Sequence, residues 1–250
     1  MDFIVKGKPI SLTVLDFGLF KVNSDNRVIG ISGFLIKTDR NELILIDGGF
    51  PQSYTKDHVQ ASSRDRLDEF GTVLRCGTEN SVSAQLAKCG YSLDDLTILI
   101  LTHSHIDHLG ALNSALQAPL LIAAAERQQT RPLYWGDSRP LEWPDRNYIL
   151  IDADIHLGPF FEVLLASGHT PGQLAVFITL DETGPILITS DAISRPSEIE
   201  ELFIDSMNPE ASRLSAERII ALAASKNAFV IYGHDPKQWP KLRKAPDCYR

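Results

Sequence analysis

The chain has 250 residues, of which 44% are hydrophobic and 22% charged, a composition typical of a globular protein with a substantial buried core. Its formal net charge of −8 argues against a non-specific nucleic-acid binder or a protein that binds anionic membranes. We therefore expect a small-molecule site, with neither a nucleic acid nor a membrane as partner.

The cysteines and the N-terminus indicate a compartment. Cys76, Cys89 and Cys248 lie far apart and form no CxxC pair, as is typical of free thiols in a reducing environment. The N-terminus does not resemble a signal peptide, because it has an early acidic residue and no cationic start followed by a continuous apolar stretch. We therefore place the protein in the cytoplasm. No linker divides the chain, so one domain over residues 1–250 is expected.

The N-terminal part alternates apolar segments with turns. Strands rich in β-branched residues and bounded by Gly, Asn or Asp are predicted at 11–20, 30–38 and 41–49. Residues 50–80 are polar and predict a long loop with irregular helix. A helix is predicted from an N-cap at Ser81 to a stop at Gly90.

The middle of the chain contains the most apolar run. "LTILILT", residues 96–102, predicts a strand buried on both faces, and a helix is expected over 108–117. The segment 119–126, "PLLIAAAE", fits either a strand or a helix. Residues 130–147, dense in Pro and aromatic residues, predict a loop.

The second half returns to strands. They are predicted at 160–167, 173–180, 184–190 and 228–233, with an amphipathic helix over 215–225. Strands in both halves with helices between them predict a layered α/β sandwich.

Polar side chains that can bind metal ions follow the predicted strands. They are His103, His105, Asp107 and His108 after 96–102, His169 after 160–167, Asp191 after 184–190, and His234 after 228–233. Loops at one edge of a sheet gather into a common site, so we expect these seven side chains to meet there.

The spacing within "HSHIDH" has a physical interpretation. His103 and His105 are two residues apart in an extended segment, so both imidazoles point to the same side. The chain then turns at Asp107 and His108, which can face a second, adjacent position. Imidazole nitrogens and carboxylate oxygens are good ligands for zinc and similar divalent first-row ions.

The pattern therefore predicts a site for two metal ions. One ligand set is His103, His105 and His169; the other is Asp107, His108 and His234. A carboxylate such as Asp191 can bridge the two. Such a pair of ions, about 3.5–4 Å apart, holds a hydroxide between them near neutral pH.

The motif "THSHIDHLG" has "LIDGG" upstream and "SGHTPGQ", "SDA" and "YGHD" downstream. Together they resemble the metallo-β-lactamase superfamily and, within it, the N-acyl-homoserine lactone lactonases, from about Leu43 to the C-terminus. The resemblance implies an αββα sandwich and two Zn²⁺ ions held by the ligand sets above, with Asp191 bridging. It also implies that Asp47 of "LIDGG" supports the metal-binding loops.

The same resemblance implies a reaction. A hydroxide that bridges the metals attacks the carbonyl of a lactone, here an N-acyl-homoserine lactone of quorum quenching, and Asp107 passes a proton to the leaving alkoxide. Other divalent first-row metals remain alternatives to zinc. The oligomeric state stays open, with a homodimer as one alternative.

One position departs from the lactonase pattern. Ser194 stands where those enzymes carry a tyrosine three residues after the bridging aspartate, and serine is too short to reach as far as a phenol. Arg195 and Tyr54 are the candidates to replace it. The apolar walls of the substrate pocket are expected from Tyr54, Tyr134, Trp135 and Trp143.

Two other classes of function stay open. A different hydrolase of the superfamily, acting on thioesters, β-lactams, phosphotriesters or other esters, would use the same metals. A non-catalytic metal-binding protein is the alternative from outside the enzymes.

Overall fold

Two β-sheets lie face to face, and helices cover their outer faces. A computed structural model describes residues 3–250. The strands are β1 (Pro9–Val22), β2 (Val28–Thr38), β3 (Leu43–Ile46), β4 (Gly71–Arg75), β5 (Ile98–Ile100), β6 (Leu120–Ala123), β7 (Tyr148–Ile151), β8 (Ile155–Gly158), β9 (Phe161–Leu165), β10 (Leu174–Leu180), β11 (Gly184–Ser190) and β12 (Phe229–Tyr232). The α-helices are α1 (Gln52–Lys56), α2 (His58–Asp65), α3 (Val82–Lys88), α4 (Ala124–Arg127) and α5 (Pro209–Ser225).

Strand direction brings several carboxyl ends to one edge of the molecule. The larger sheet has the order β4-β1-β2-β3-β5-β6-β7 and the smaller one β12-β11-β10-β9-β8. β3, β5, β6 and β7 are parallel, as are β11 and β12. β9 runs in the direction of β11, since both are antiparallel to β10. The polar residues that follow β3, β5, β9, β11 and β12 are thereby brought together.

Three apolar layers hold the sandwich together. Between the sheets, residues such as Ile46 and Ile100 pack against Phe161 and Ile188, all at most 1% exposed. A second layer lies between the larger sheet and helices α1 to α3. A third lies between the smaller sheet and α5. This order of layers is the predicted αββα sandwich, and it is confirmed.

Helix α5 is longer than the predicted 215–225. It begins at Pro209, because the Asn208 side chain accepts a hydrogen bond from the Ala211 N–H and a proline is favoured in the first turn. Across residues 3–250, no helix has both the length and the apolar character needed to cross a membrane.

Several elements differ from the prediction. Strand β4 lies inside the polar stretch 50–80, and β7 and β8 occupy a region for which no strand was predicted. The segment 119–126, predicted as either a strand or a helix, forms strand β6 and then begins helix α4. The expected helix over 108–117 was wrong, since the chain forms a 3₁₀ helix over Ile106–Ala111 and then turns. β4 and β7 are edge strands and are partly exposed. β4 lacks the continuous apolar run of a central strand, and β7 has only four apolar residues directly after the loop 130–147.

Phe161→Ala tests the layer between the sheets. Phe161 is fully buried, so truncation leaves a cavity and should lower the free energy of unfolding by about 3–5 kcal/mol in urea titration. Phe160→Ala is the matched control, because the neighbouring ring is 65% exposed and its loss should change stability by less than about 0.5 kcal/mol. Equal effects of the two substitutions would contradict this packing.

Candidate metal centre

Seven side chains from four chain segments meet at the carboxyl ends of the strands. We call them the ligand cluster: His103, His105, Asp107, His108, His169, Asp191 and His234. Their ligand atoms form three overlapping groups, within each of which all atoms lie no more than 4.8 Å apart. The groups are His103–His105–His169, His103–His108–Asp191 and Asp107–His108–His234. The structure thus brings together every side chain that the sequence analysis assigned to the metals.

Three imidazole nitrogens converge on one point. His105 Nδ1 lies 3.1 Å from His103 Nε2 and 3.0 Å from His169 Nε2. Nitrogen ligands about 2.0–2.1 Å from a tetrahedral zinc ion lie about 3.3 Å from one another. The spacing of these three nitrogens therefore fits a single metal ion.

A second group of ligand atoms lies beside the first. Oδ2 of Asp107 is 3.6 Å from His108 Nε2 and 3.3 Å from His234 Nε2. Asp191 lies between the two groups. Its Oδ2 is 3.5 Å from His169 Nε2, and its Oδ1 is 3.2 Å from His234 Nε2.

The outer nitrogens of two histidines establish which atoms face the centre. His234 Nδ1 donates to the carbonyl oxygen of Gly30 at 3.0 Å, and His108 Nδ1 donates to Asp47 Oδ2 at 2.8 Å. Nε2 of each ring therefore faces carboxylate oxygens, and it offers them either a proton or, once a metal has displaced that proton, a lone pair to the metal. His108 Nε2 and Asp191 Oδ1 are both buried without a hydrogen-bond partner. A buried imidazole nitrogen and a buried carboxylate oxygen that lack a hydrogen-bond partner fit a bound cation.

Burial keeps the first group of histidines neutral. It lowers the pKa of His103 and His169, and it lowers the pKa of His105 to about 3. At pH 7 these rings are uncharged, which is the form that binds metal.

The second group contains carboxylates that favour positive charge. Burial alone would lower the pKa of His108, but Asp107 and Asp47 outweigh it and raise that pKa to about 9. Asp191 and Asp107 likewise raise the pKa of His234 against the effect of burial. Although burial opposes its ionisation, Asp107 has a pKa of about 2 because of His108 and His234. This group attracts a proton or a metal cation.

Asp47 holds the loop that follows β5. Beside His108, its carboxylate accepts from the Thr102 N–H at 2.9 Å and from Thr102 Oγ1 at 2.7 Å, and it is only 2% exposed. Asp47 thus lies beside the ligand cluster, and its support of the metal-binding loops stays a prediction.

Sequence reasoning missed Glu126, which ties two loops of the site together. Its carboxylate accepts from the N–H and Oγ of Ser104, at 2.8 and 2.6 Å, and from the Gly172 N–H at 3.1 Å. Ser104 lies between His103 and His105, and Gly172 follows His169 by three residues. The one signal was an acidic residue at the end of the apolar run "PLLIAAAE".

Gly233 allows two segments of the ligand cluster to approach. A Cβ atom at this position would lie 2.6 Å from the Ser190 carbonyl oxygen and 2.8 Å from Asp191 Oδ1. No side chain fits there, so the glycine is required for His234 and Asp191 to lie side by side.

A cavity of about 480 Å³ opens beside the ligand cluster. Its lining includes His105, Asp107, His169, Asp191 and His234, together with the predicted substrate-contact residues Trp135 and Ser194. One wall is apolar and contains Phe20, Ile29, Ile31, Phe50, Leu67 and Phe70. The rim carries Arg27, Arg195, Glu198, Glu201 and Asp205.

Three of the four aromatic residues expected on the walls do not line this cavity. Tyr54 and Tyr134 are at most 1% exposed, and both hydroxyls donate to Asp65. Trp143 Nε1 donates to the Gln129 carbonyl oxygen in the loop. The substrate contact predicted for Tyr54 is therefore corrected, because the hydroxyl is turned into the core and cannot replace the missing tyrosine.

The chain matches known proteins over most of its length. The family model of the metallo-beta-lactamase superfamily matches residues 27–234. N-acyl homoserine lactonase AiiA of Bacillus thuringiensis subsp. kurstaki is 26% identical over 217 residues, covering 86% of this chain and 84% of the relative. N-acyl homoserine lactonase AttM of Azorhizobium caulinodans is 26% identical over 245 residues, or 92% of each chain.

Solved structures share the fold. An AiiA variant of B. thuringiensis, with N-decanoyl-L-homoserine bound at its active site, superposes with a TM-score of 0.83 at 22% identity, covering 98% of this chain and all of that one. AidC, described as a dizinc quorum-quenching lactonase, superposes with a TM-score of 0.66 at 19% identity, covering 99% and 97% of the two chains.

Asp47→Asn tests whether Asp47 supports metal binding by Asp107, His108 and His234. The amide cannot accept all three hydrogen bonds, so the affinity for the second metal equivalent should fall about 10–100-fold in competition with a chromophoric chelator. Asp94→Asn removes the same charge from an exposed site and should leave the affinity unchanged. Unchanged affinity in Asp47→Asn would contradict the supporting role.

Proposed function

The chain belongs to the metallo-beta-lactamase superfamily and is a metal-dependent hydrolase; from this premise we propose that it opens lactone rings. N-acyl-homoserine lactones are the proposed substrates, because the curated relatives are N-acyl homoserine lactonases. The observation that carries the proposal is the position of Asp191 between two complete groups of ligand atoms beside a cavity. One hydrolase domain spanning residues 1–250 is part of the proposal.

The proposed cofactor is a pair of Zn²⁺ ions. His103, His105 and His169 would hold one, Asp107, His108 and His234 the other, and Asp191 would contact both. When bound, two such ions supply Lewis-acid polarisation of a carbonyl and a nucleophile at neutral pH. The chain's own contribution is to hold the neutral imidazoles of His103, His105 and His169 and the ionised carboxylates of Asp107 and Asp191 in place before a metal arrives.

Asp107 is the proposed proton carrier. As a member of the ligand cluster that also lines the cavity and remains 17% exposed, it has a carboxylate that can contact a bound substrate. Ring opening releases an alkoxide, which needs a proton. Asp107 would transfer that proton from the attacking water to the leaving oxygen. No acyl-enzyme is required, because water and not a side chain supplies the nucleophile.

Ser194 and Arg195 line the cavity and are the proposed contacts for the substrate's polar groups. The Ser194 N–H donates to Glu198 Oε2 at 2.6 Å, and its carbonyl accepts from the His234 N–H at 2.7 Å. Arg195 pairs with Glu198 at 2.9 Å and also with Glu201. Because this guanidinium is already neutralised, the rim favours an uncharged substrate over an anionic one. The Ser194 hydroxyl is the proposed hydrogen-bond donor to the substrate.

A substrate panel tests the function. Zinc-loaded protein, with two ions per chain by elemental analysis, is offered N-butanoyl- and N-decanoyl-homoserine lactone, a thioester, a β-lactam and a phosphotriester in a pH-stat. Release of acid from the lactones is expected. If the lactones are inert and another ester is hydrolysed, the substrate class is wrong. If none of the five is hydrolysed with metal bound, the result favours a non-catalytic metal-binding protein.

Asp107→Asn tests proton transfer. The amide cannot carry a proton between water and the leaving alkoxide, so kcat should fall by a factor of about 10²–10⁴. Elemental analysis of the same sample should find most of the metal retained, since His108 and His234 remain. Asp152→Asn removes an exposed carboxylate elsewhere and should leave kcat unchanged. An unaltered kcat in Asp107→Asn would assign proton transfer to another group.

A further inference from the structure

A buried carboxylate outside the ligand cluster is the centre of a separate hydrogen-bonded network. Asp65, at the end of α2, is 2% exposed. Its Oδ2 accepts from Tyr134 Oη at 2.5 Å and from Tyr54 Oη at 3.0 Å, while Arg64 donates to both carboxylate oxygens at 2.8 and 2.9 Å. Burial opposes ionisation of Asp65, yet these donors outweigh it and hold its pKa below the usual value. An ionised carboxylate accepts from both phenols at once.

Tyr134 connects this carboxylate to the metal-binding loop. The Tyr134 N–H donates to the Ser104 carbonyl oxygen at 2.8 Å, and its carbonyl accepts from the Ile106 N–H at 2.9 Å. The main chain of Tyr134 therefore brackets His105. The residue also has a φ of 58°, an unfavourable conformation for a tyrosine that the surrounding contacts must maintain.

Tyr54 and Tyr134 connect Asp65 to two parts of the cavity's apolar wall. The Tyr54 ring stacks on Phe50 at a centroid distance of 4.9 Å. Trp135, next to Tyr134, packs on Phe70 at 4.6 Å. Phe50, Phe70 and Trp135 all line the cavity.

The turn after α2 completes this arrangement. Arg66 caps the helix in a left-handed conformation, which redirects the chain so that Leu67 also faces the cavity. Phe50 is thus linked to the Asp65 carboxylate through Tyr54, Trp135 is linked to it through Tyr134, and Leu67 follows Asp65 by two residues.

We propose that Asp65 is a positioning residue: through Tyr54 and Tyr134 it sets the spacing of the apolar wall, and it thereby determines whether the enzyme accepts a long acyl chain. The substrate class in this proposal rests on the proposed lactonase function. Asp65 touches neither the ligand cluster nor the substrate and acts through the two tyrosines. A short-chain lactone, which does not extend along the wall, should be nearly insensitive to it.

Tyr134→Phe and Asp65→Asn test the proposal on zinc-loaded protein. The ratio of kcat/KM for N-decanoyl- to N-butanoyl-homoserine lactone should fall about tenfold in each, the scale of one lost hydrogen bond to a charged group, mainly through KM. Tyr148→Phe is the matched control. Its hydroxyl donates to the Pro144 carbonyl oxygen at 2.7 Å, so the ratio should not change. An unchanged ratio in the first two variants would overturn the proposal.

A measurement without substrate separates this proposal from the lactonase function. With 5-fluorotryptophan incorporated, and Trp135 assigned by Trp135→Phe, the ¹⁹F resonance of Trp135 should shift in Asp65→Asn and stay in place in Tyr148→Phe. If wild-type protein hydrolyses no lactone but the resonance shifts, only the substrate class is wrong. If the lactones are hydrolysed and the resonance does not move, the positioning role is wrong.

Discussion

The structure depends on a concentration of lone pairs in one buried place. Nitrogens of His103, His105 and His169 approach to about 3 Å, and the carboxylates of Asp107 and Asp191 face further imidazoles. Such groups repel unless positive charge lies among them, so the fold must hold them there against their own electrostatics. Outer hydrogen bonds to Asp47, Glu126 and the Gly30 carbonyl provide that restraint. The parallel strands supply the common edge at which those partners can act.

The ligand end of the site was predictable because its geometry follows from strand direction and residue spacing. Histidines two apart in an extended segment face one side whatever surrounds them, and residues after parallel strands meet at one edge. The partners of these residues were harder to foresee. Glu126 is separated from Ser104 by 22 residues, and nothing in either sequence segment specifies that the two meet.

The substrate end was less predictable for a physical reason. Phe20, Ile29 and Ile31 of its wall lie on β1 and β2, both of which were predicted, but Phe50, Leu67, Phe70 and Trp135 come from residues 50–75 and 130–147. Those two segments show no clear helical or strand period in sequence and owe their conformation to individual contacts. Tyr54 illustrates the problem: an aromatic residue in a polar stretch suggests a binding surface, yet its hydroxyl is satisfied by Asp65 in the core. The carboxylate that organises both segments lies in the least patterned part of the chain. The shape of the cavity therefore depends on tertiary contacts, whereas the ligand cluster follows from local sequence.

The division of the ligand cluster between the two sheets has a consequence for the stability of the protein. His103, His105, Asp107 and His108 follow a strand of the larger sheet, whereas His169, Asp191 and His234 follow strands of the smaller one. A cation held by either group would fasten one sheet to the other, and metal binding would then contribute to the stability of the folded protein. By mass action, a free ion at about 100 times its dissociation constant adds about 2.7 kcal/mol to the stability of the native state. The supply of metal in the cell would then govern how much of this protein survives proteolysis, besides how much of it is active.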